Sequence, residues 1–447
     1  MTTQRPPAAM MVAMSRTDGA AAARVPLLFL VADTGGGHRS AARAVGQALE
    51  LAHPGRFAPV LCDPLGGPGS ARPLRWVTGL YGPVVRRAPW LWGAAYHASN
   101  SRPAVAVLRQ TLLRLADRPA AAAAAALSPA AIVSFHPLTG PASVAARDRR
   151  APGAPVITVV TDLATMHAAW RHAPADLIIT PCGAPPADAP RLGAGRSRGA
   201  AGRSRGPAGR AAGLPVTSGF WAGPALPRER ARLRRDLGLP EQGFVVLLAG
   251  GAEGTGGLAR RAAAIVRRHP DVAVVAVCGR NQRLRDRLDR VAARSGGQLT
   301  TLGFTRDMAR WLRCCDVLVT KAGPGAIAEA ACCGTPLLLT SHLPGQEKGN
   351  AEVVTAARAG RRVRGARRLA AEIGRLRADR AAVEAMRAAA ARLGQPAAAA
   401  DIAELIAGLI PAGPVPAGPV PPARSRPAMA AAAAGSATAP GPAALGS

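Results

Sequence analysis

The chain has 447 residues and a formal net charge of +31, carried almost entirely by arginine. That length allows two or three domains, each able to bury its own core. Seven cysteines without CxxC spacing read as reduced cytosolic thiols and not as a disulfide framework. Such charge suits nucleic acid, an anionic membrane or acidic metabolites, and equally a drift in composition with basic tails.

Residues 1–24 read as a disordered lead. From Val25 short apolar runs alternate with helical stretches, the pattern of parallel α/β architecture. The run Val25–Ala32 ends in Asp33 and three glycines, so it reads as a first strand and not a signal peptide. Further strands are expected at Val60–Cys62, Ala131–Ser134, Val156–Val160 and Leu177–Thr180. A second series follows at Val245–Ala249, Val272–Cys278, Leu299–Leu302, Val317–Thr320 and Pro336–Thr340. Two doubly wound units fit, one over 25–215 and one over 216–410, joined near Gly213–Phe220. Residues 183–212 carry GRSRGAAGRSRGPAGR and read as a disordered insert; 411–447 read as a disordered Pro/Ala-rich tail. Pro119–Ala146 is Ala-rich but broken by prolines, so no membrane span is expected.

Polar groups gather where these strands end. The first strand opens into Gly36-Gly37-His38, placing a near-neutral imidazole at the cleft of an open α/β sheet, fit for general-base work or for capping the turn. His136 and Asp162 follow later strands, with His167 close behind. They suggest one cleft wall, and no metal-ligand spacing such as HExxH accompanies them. In the second unit Gly250–Gly257, including Gly251, can approach phosphates. Arg280 either touches the nucleotide or is solvated. Gly323-Pro324-Gly325 opens a helix whose free amides favour an anion, and Glu329, one turn in, can bridge a ribose diol. Gln346, Glu347 and Asn350 form a polar loop suited to sugar hydroxyls. The two lysines, Lys321 and Lys348, fall in this same stretch. Trp76, Tyr81, Trp90, Trp92 and Tyr96 crowd one segment with Arg75, Arg86 and Arg87, a mixture that suits a membrane surface, nucleic-acid stacking or a buried aromatic pair of helices.

Taken in order, DTGGGHRSAARA, PLRWVTGLYGPVVRRAPWLWGAAYHASN, SFHPL, VVTDLATMHAAWRH, GLPV, GGAEGTGG, VCGRNQRL, KAGPGAIAEA and PGQEKGN resemble the monogalactosyldiacylglycerol synthase branch of glycosyltransferase family 28. The resemblance covers about 25–360. It implies the GT-B fold, two Rossmann-like doubly wound domains facing a central cleft. It also implies an inverting transfer of a hexose from a UDP-sugar to a lipid, diacylglycerol first, with a polyprenyl-linked or soluble acceptor as the alternative. By resemblance the backbone near Phe304 takes uracil, Gly323, Pro324 and Gly325 the diphosphate, and Glu329 the ribose. Gln346, Glu347 and Asn350 then surround the sugar, with Gly251 and Arg280 beside the nucleotide. Gly36, Gly37 and His38 lie at the reaction centre, with Asp162 orienting a histidine or the acceptor. Trp76, Arg86, Arg87, Trp90, Trp92 and His136 face the acceptor and membrane. No metal and no cofactor are expected. The enzyme is expected in the cytoplasm, peripheral at the inner face of the cell membrane, without nucleic acid as a partner. A UDP-sugar 2-epimerase or a nucleic-acid-binding protein on the same scaffold are the rival readings.

Overall fold

A computed structural model describes residues 24–33, 36–181 and 208–411. The lead through residue 23, most of the insert and the tail beyond 411 lie outside them.

The first sheet contains β1 (Val25–Leu30), β2 (Phe57–Cys62), β3 (Ala131–Ser134), β4 (Val156–Val159), β5 (Leu177–Thr180) and β6 (Ala208–Ala211), in the order β2-β1-β3-β4-β5-β6. The second contains β7 (Phe244–Ala249), β8 (Val272–Val277), β9 (Leu299–Leu302), β10 (Val317–Lys321), β11 (Leu337–Ser341) and β12 (Gly360–Arg362), in the order β12-β11-β10-β7-β8-β9. All pairings are parallel. Helices cover both faces, so the central strands are near-continuous apolar runs: every residue of β3, β4, β5 and β7 is buried. Each sheet reverses its strand order once, at β1/β3 and at β7/β10. An open α/β sheet presents ligand sites beyond the strand ends at such a reversal.

Two sequence expectations change. The end of the expected disordered insert is β6, paired to β5 from Leu177↔Ala208 to Thr180↔Ala211. An edge strand needs backbone donors and acceptors more than apolar side chains, so AGRA pairs despite its composition. The stretch assigned to the second unit also returns to the first. Helix Ala398–Ala407 sets Ala399, Ile402, Ala403 and Ile406 into the core around Leu27, Phe29, Val45 and Leu49. The return starts beside Gly213: a Cβ there would lie 2.1 Å from Gln395 Oε1. Both chain crossings between the sheets therefore run side by side.

Part of the arginine excess is structural. Arg234 is buried, donating to the Cys314 carbonyl at 2.9 Å and pairing with Asp316 at 2.9 Å. Asp316 also accepts from the Val245 amide at 2.7 Å, so the pair fixes the start of β7 against β10. Among the described residues no helix is long and apolar enough to cross a membrane.

Candidate active site

The first cleft wall is built from the ends of β1, β3 and β4. Helix α1 (Gly37–Ala52) opens directly after Gly36, whose φ of +80° suits glycine. His38 is thereby buried at the helix start, with Nδ1 2.9 Å from the Phe135 carbonyl and 2.6 Å from Thr161 Oγ1. A carbonyl only accepts, so Nδ1 carries the proton and Nε2 keeps a lone pair. Burial lowers the pKa of His38 to about 4, partly offset by the Phe135 carbonyl, so the ring is neutral at pH 7.

Its neighbours have the other tautomer. The His136 ring stands 4.4 Å from that of His38, and its Nδ1 accepts from the Leu138 amide at 3.2 Å. His167 Nδ1 accepts from the Ala169 amide at 3.1 Å, with Nε2 3.2 Å from Ser99 Oγ. Amide N–H groups only donate, so both rings carry hydrogen on Nε2. Burial lowers the pKa of each as well. Of the three imidazoles, His38 alone presents a basic Nε2. Asp162 accepts from Trp170 Nε1 at 2.7 Å and from Gln346 Nε2 at 3.4 Å, so it orients an indole and a loop of the second sheet.

The second wall is built from the ends of β7, β10 and β11. Gly323 caps the helix Pro324–Cys332, leaving the first-turn amides directed toward the cleft end of β10. Space for a Cβ is tight at Gly323, 3.2 Å from Lys321 Nζ, and open at Gly325. Glu329 lies one turn in, and burial pushes its carboxyl up to about 7. Gly251 (φ +71°) turns the loop after β7, closed by hydrogen bonds from Gly254 N to Gly251 O at 3.0 Å and from Arg280 N to Ala252 O at 2.9 Å. Phe304 is exposed beyond β9.

The walls meet. A Cβ on Gly36 would lie 3.4 Å from that of Ala252, and one on Gly349 2.6 Å from Thr165 Oγ1. Asn350 bridges the sheets, accepting from Ala164 N at 3.2 Å and donating to Ala322 O at 2.9 Å. Glu347 pairs with Lys321 and accepts from Leu343 N at 2.8 Å. Both residues were expected around the sugar; both have their polar atoms committed to holding the loop. Of that trio Gln346 alone keeps an unpartnered atom, its buried Oε1. Arg280 is exposed and meets Glu253 at 3.5 Å through one guanidinium nitrogen.

The aromatic segment forms α2 (Arg72–Arg87) and α3 (Pro89–Ser99), and it divides by face. Trp76 and Trp90 are 69% and 70% exposed, and Leu80 and Arg87 are exposed beside Trp76 on α2. Tyr81, Trp92 and Tyr96 turn inward, with the Tyr81 and Trp92 rings edge to face at 4.9 Å. Arg86, expected at the membrane, reaches across the cleft to Glu253 at 2.5 Å. Glu253 is a site residue that the sequence reading missed. An acid alone in a glycine-rich loop, opposite an arginine-rich helix, was the available signal. A mostly apolar cavity of about 630 Å³ opens between Asn100–Ala106 and Ala168–His172, away from the glycine turns.

Comparisons with known proteins bear on family and fold. The profile of the glycosyltransferase family 28 C-terminal domain matches residues 245–406. The chain is 32% identical over 342 residues to the probable monogalactosyldiacylglycerol synthase 2 of Oryza sativa subsp. indica, covering 74% of this chain and 69% of that one. It is 29% identical over 337 residues to monogalactosyldiacylglycerol synthase 2 of Arabidopsis thaliana, covering 73% and 68%. Among solved structures, MurG of Acinetobacter baumannii superposes with a TM-score of 0.53 at 16% identity, over 86% of this chain and 99% of that one. Sucrose-phosphate synthase from Thermosynechococcus elongatus does so with a TM-score of 0.50 at 17% identity, over the same shares. The fold is GT-B, and the chain belongs to the monogalactosyldiacylglycerol synthase branch of glycosyltransferase family 28 as a sugar-transferring enzyme.

Proposed function

We propose that the enzyme moves a hexose from a UDP-sugar to a lipid hydroxyl, with diacylglycerol as acceptor and inversion at the anomeric carbon. The observation that carries this reading is a neutral His38 with a basic Nε2, on a wall that touches the glycine loop of the opposite wall at Ala252. The acceptor oxygen attacks the anomeric carbon from the face opposite UDP, and its proton passes to Nε2. The bond from that carbon to the diphosphate oxygen breaks, and UDP leaves with the electron pair. Amides at the start of helix Pro324–Cys332 stabilise the charge that develops. Glu329 accepts from the ribose hydroxyls. No metal takes part in this scheme, in keeping with the lack of a DxD triplet in the sequence.

The acceptor assignment draws on the names of the plant relatives and on the outer face of α2–α3. Exposed Trp76, Leu80, Trp90 and Arg87 combine apolar area with positive charge, the mixture that binds an anionic lipid surface from one side. The enzyme would work peripherally, at the inner face of the cell membrane. Incubation with labelled UDP-galactose or UDP-glucose and mixed-lipid vesicles, with chelator present, tests the reading. A neutral glycolipid product is expected. A labelled polyprenyl-linked or water-soluble product would overturn the acceptor, and no transfer from any UDP-sugar would overturn the donor.

A further inference from the structure

Among the described residues, Tyr96 Oη, Trp92 Nε1 and Gln346 Oε1 are buried beside the cleft without a hydrogen-bond partner. Buried polar atoms are nearly always paired, because an unpaired one forfeits its hydration without return. Trp92 and Tyr96 stand four residues apart on α3 and so share its inner face. Tyr96 is 6% exposed. A Cβ on Gly345, at φ +81°, would lie 2.4 Å from its ring, and one on Gly93 would lie 2.6 Å from Pro344. Helix α3 therefore packs tightly against Pro344 and Gly345, which places Tyr96 beside the loop that carries Gln346. Asp162 accepts from the Gln346 amide nitrogen, leaving the carbonyl oxygen as the unpartnered end.

The chemistry of the set selects its ligand. It offers one obligate donor in the indole N–H, one obligate acceptor in the amide carbonyl, and a phenol that does both. A phosphate calls for donors alone, and an acyl chain for neither. Vicinal hydroxyls both donate and accept. The hexose of the donor supplies them in this cleft, whereas the glycerol of diacylglycerol offers a single free hydroxyl, its other two oxygens being esterified. The loop follows β11, next to β10 and its phosphate-facing helix, on the sheet that holds the donor.

We infer that Tyr96 and Trp92, with Gln346, form a hydroxyl-recognition subsite for the transferred hexose, so that the inner face of the aromatic segment selects the sugar. This rests on the UDP-sugar reading above. It makes α3 two-sided, with lipid on its exposed face and sugar on its buried one.

The test is Tyr96→Phe, which keeps the ring against Gly345 and removes one hydroxyl. Calorimetry with UDP, UDP-galactose and UDP-glucose is run beside acceptor kinetics and a thermal melt. The expected variant binds UDP as the wild type does, binds the preferred UDP-hexose about fivefold more weakly, and discriminates less between the two hexoses. Its melting temperature stays level or rises, because the lost hydroxyl made no bond in the free protein; a clear drop would assign Tyr96 a structural role and overturn the inference. A raised acceptor KM with unchanged UDP-hexose affinity would hand the subsite to the glycerol and overturn the hexose assignment. Unchanged donor affinity, selectivity and acceptor KM would overturn the subsite altogether. A wild-type enzyme that fails to bind UDP would instead remove the donor reading, and the hexose subsite with it.

Discussion

The two walls of the cleft handle charge differently. On the first, His38, His136 and His167 are buried and their pKa values are lowered, so these rings are neutral at pH 7 and offer one basic nitrogen. On the second, Glu329 has its carboxyl raised to about 7 by burial, while a helix N-terminus presents amides to an anion. Neutral imidazoles neither attract nor repel the diphosphate, and that of His38 can take a proton at the moment of attack. The second wall is arranged for binding. Chemistry and donor affinity should therefore break independently.

The largest effect belongs to the first wall. His38→Ala should lower kcat by about 10²–10⁴-fold, the usual contribution of a general base, with UDP affinity retained. A parallel loss of UDP affinity would make His38 a phosphate ligand. The pH dependence sharpens the point. The sequence alone places an acid limb near the ordinary histidine value of about 6.5. The buried ring has its pKa at about 4, so its basic form persists well below neutrality. Wild-type kcat should stay flat from roughly pH 5.5 to 8 and fall in more acid solution. A limb centred near 6.5 would assign the base to a more exposed group.

On the second wall, Glu329→Ala should weaken UDP binding by about 1.5–3 kcal/mol, the value of a hydrogen bond to a charged group, and leave kcat at saturating donor nearly unchanged. The carboxylate is the stronger acceptor for ribose hydroxyls, and it forms as pH rises through about 7. Wild-type UDP affinity should accordingly increase from about pH 6 to 8, and Glu329→Gln should remove that increase. Titration calorimetry at the two pH values checks both; a pH-independent wild type would place Glu329 away from the ribose.

Much of this architecture was legible because a strand covered on both faces must be apolar throughout. The ten expected strands are all present within a few residues. The two that were missed, β6 and β12, are edge strands reading AGRA and GRR, held by backbone bonds that leave no apolar trace. Helix Ala398–Ala407 shows its stripe in sequence, Ala399, Ile402, Ala403 and Ile406, but a stripe does not say which core it enters. The site divides in the same way. The glycine turns and His38 follow from strand-end positions. The commitment of Glu347 to Lys321, of Asn350 to Ala164 and of Arg86 to Glu253 joins residues 26, 186 and 167 positions apart, which no local pattern records.

The last pairing carries the smallest predicted effect and separates the roles of two adjacent arginines. On a helix, neighbours differ by about 100° in direction. Arg87 therefore shares the exposed stripe of Trp76 and Leu80, while Arg86 points to Glu253, which also meets Arg280. Arg87→Ser should weaken binding to anionic vesicles by about fivefold at low salt, the scale of one basic residue at a charged lipid surface, and less at high salt. Arg86→Ser should change vesicle binding less. Its effect should fall on the glycine loop, with donor affinity reduced by no more than a few-fold, since a half-exposed ion pair contributes about 0.2–1 kcal/mol. Co-sedimentation with vesicles and UDP calorimetry on both variants read the two effects separately. Equal losses of vesicle binding would mean that Arg86 leaves Glu253 for lipid when the enzyme docks, and the segment would then open the cleft at the membrane instead of holding it closed.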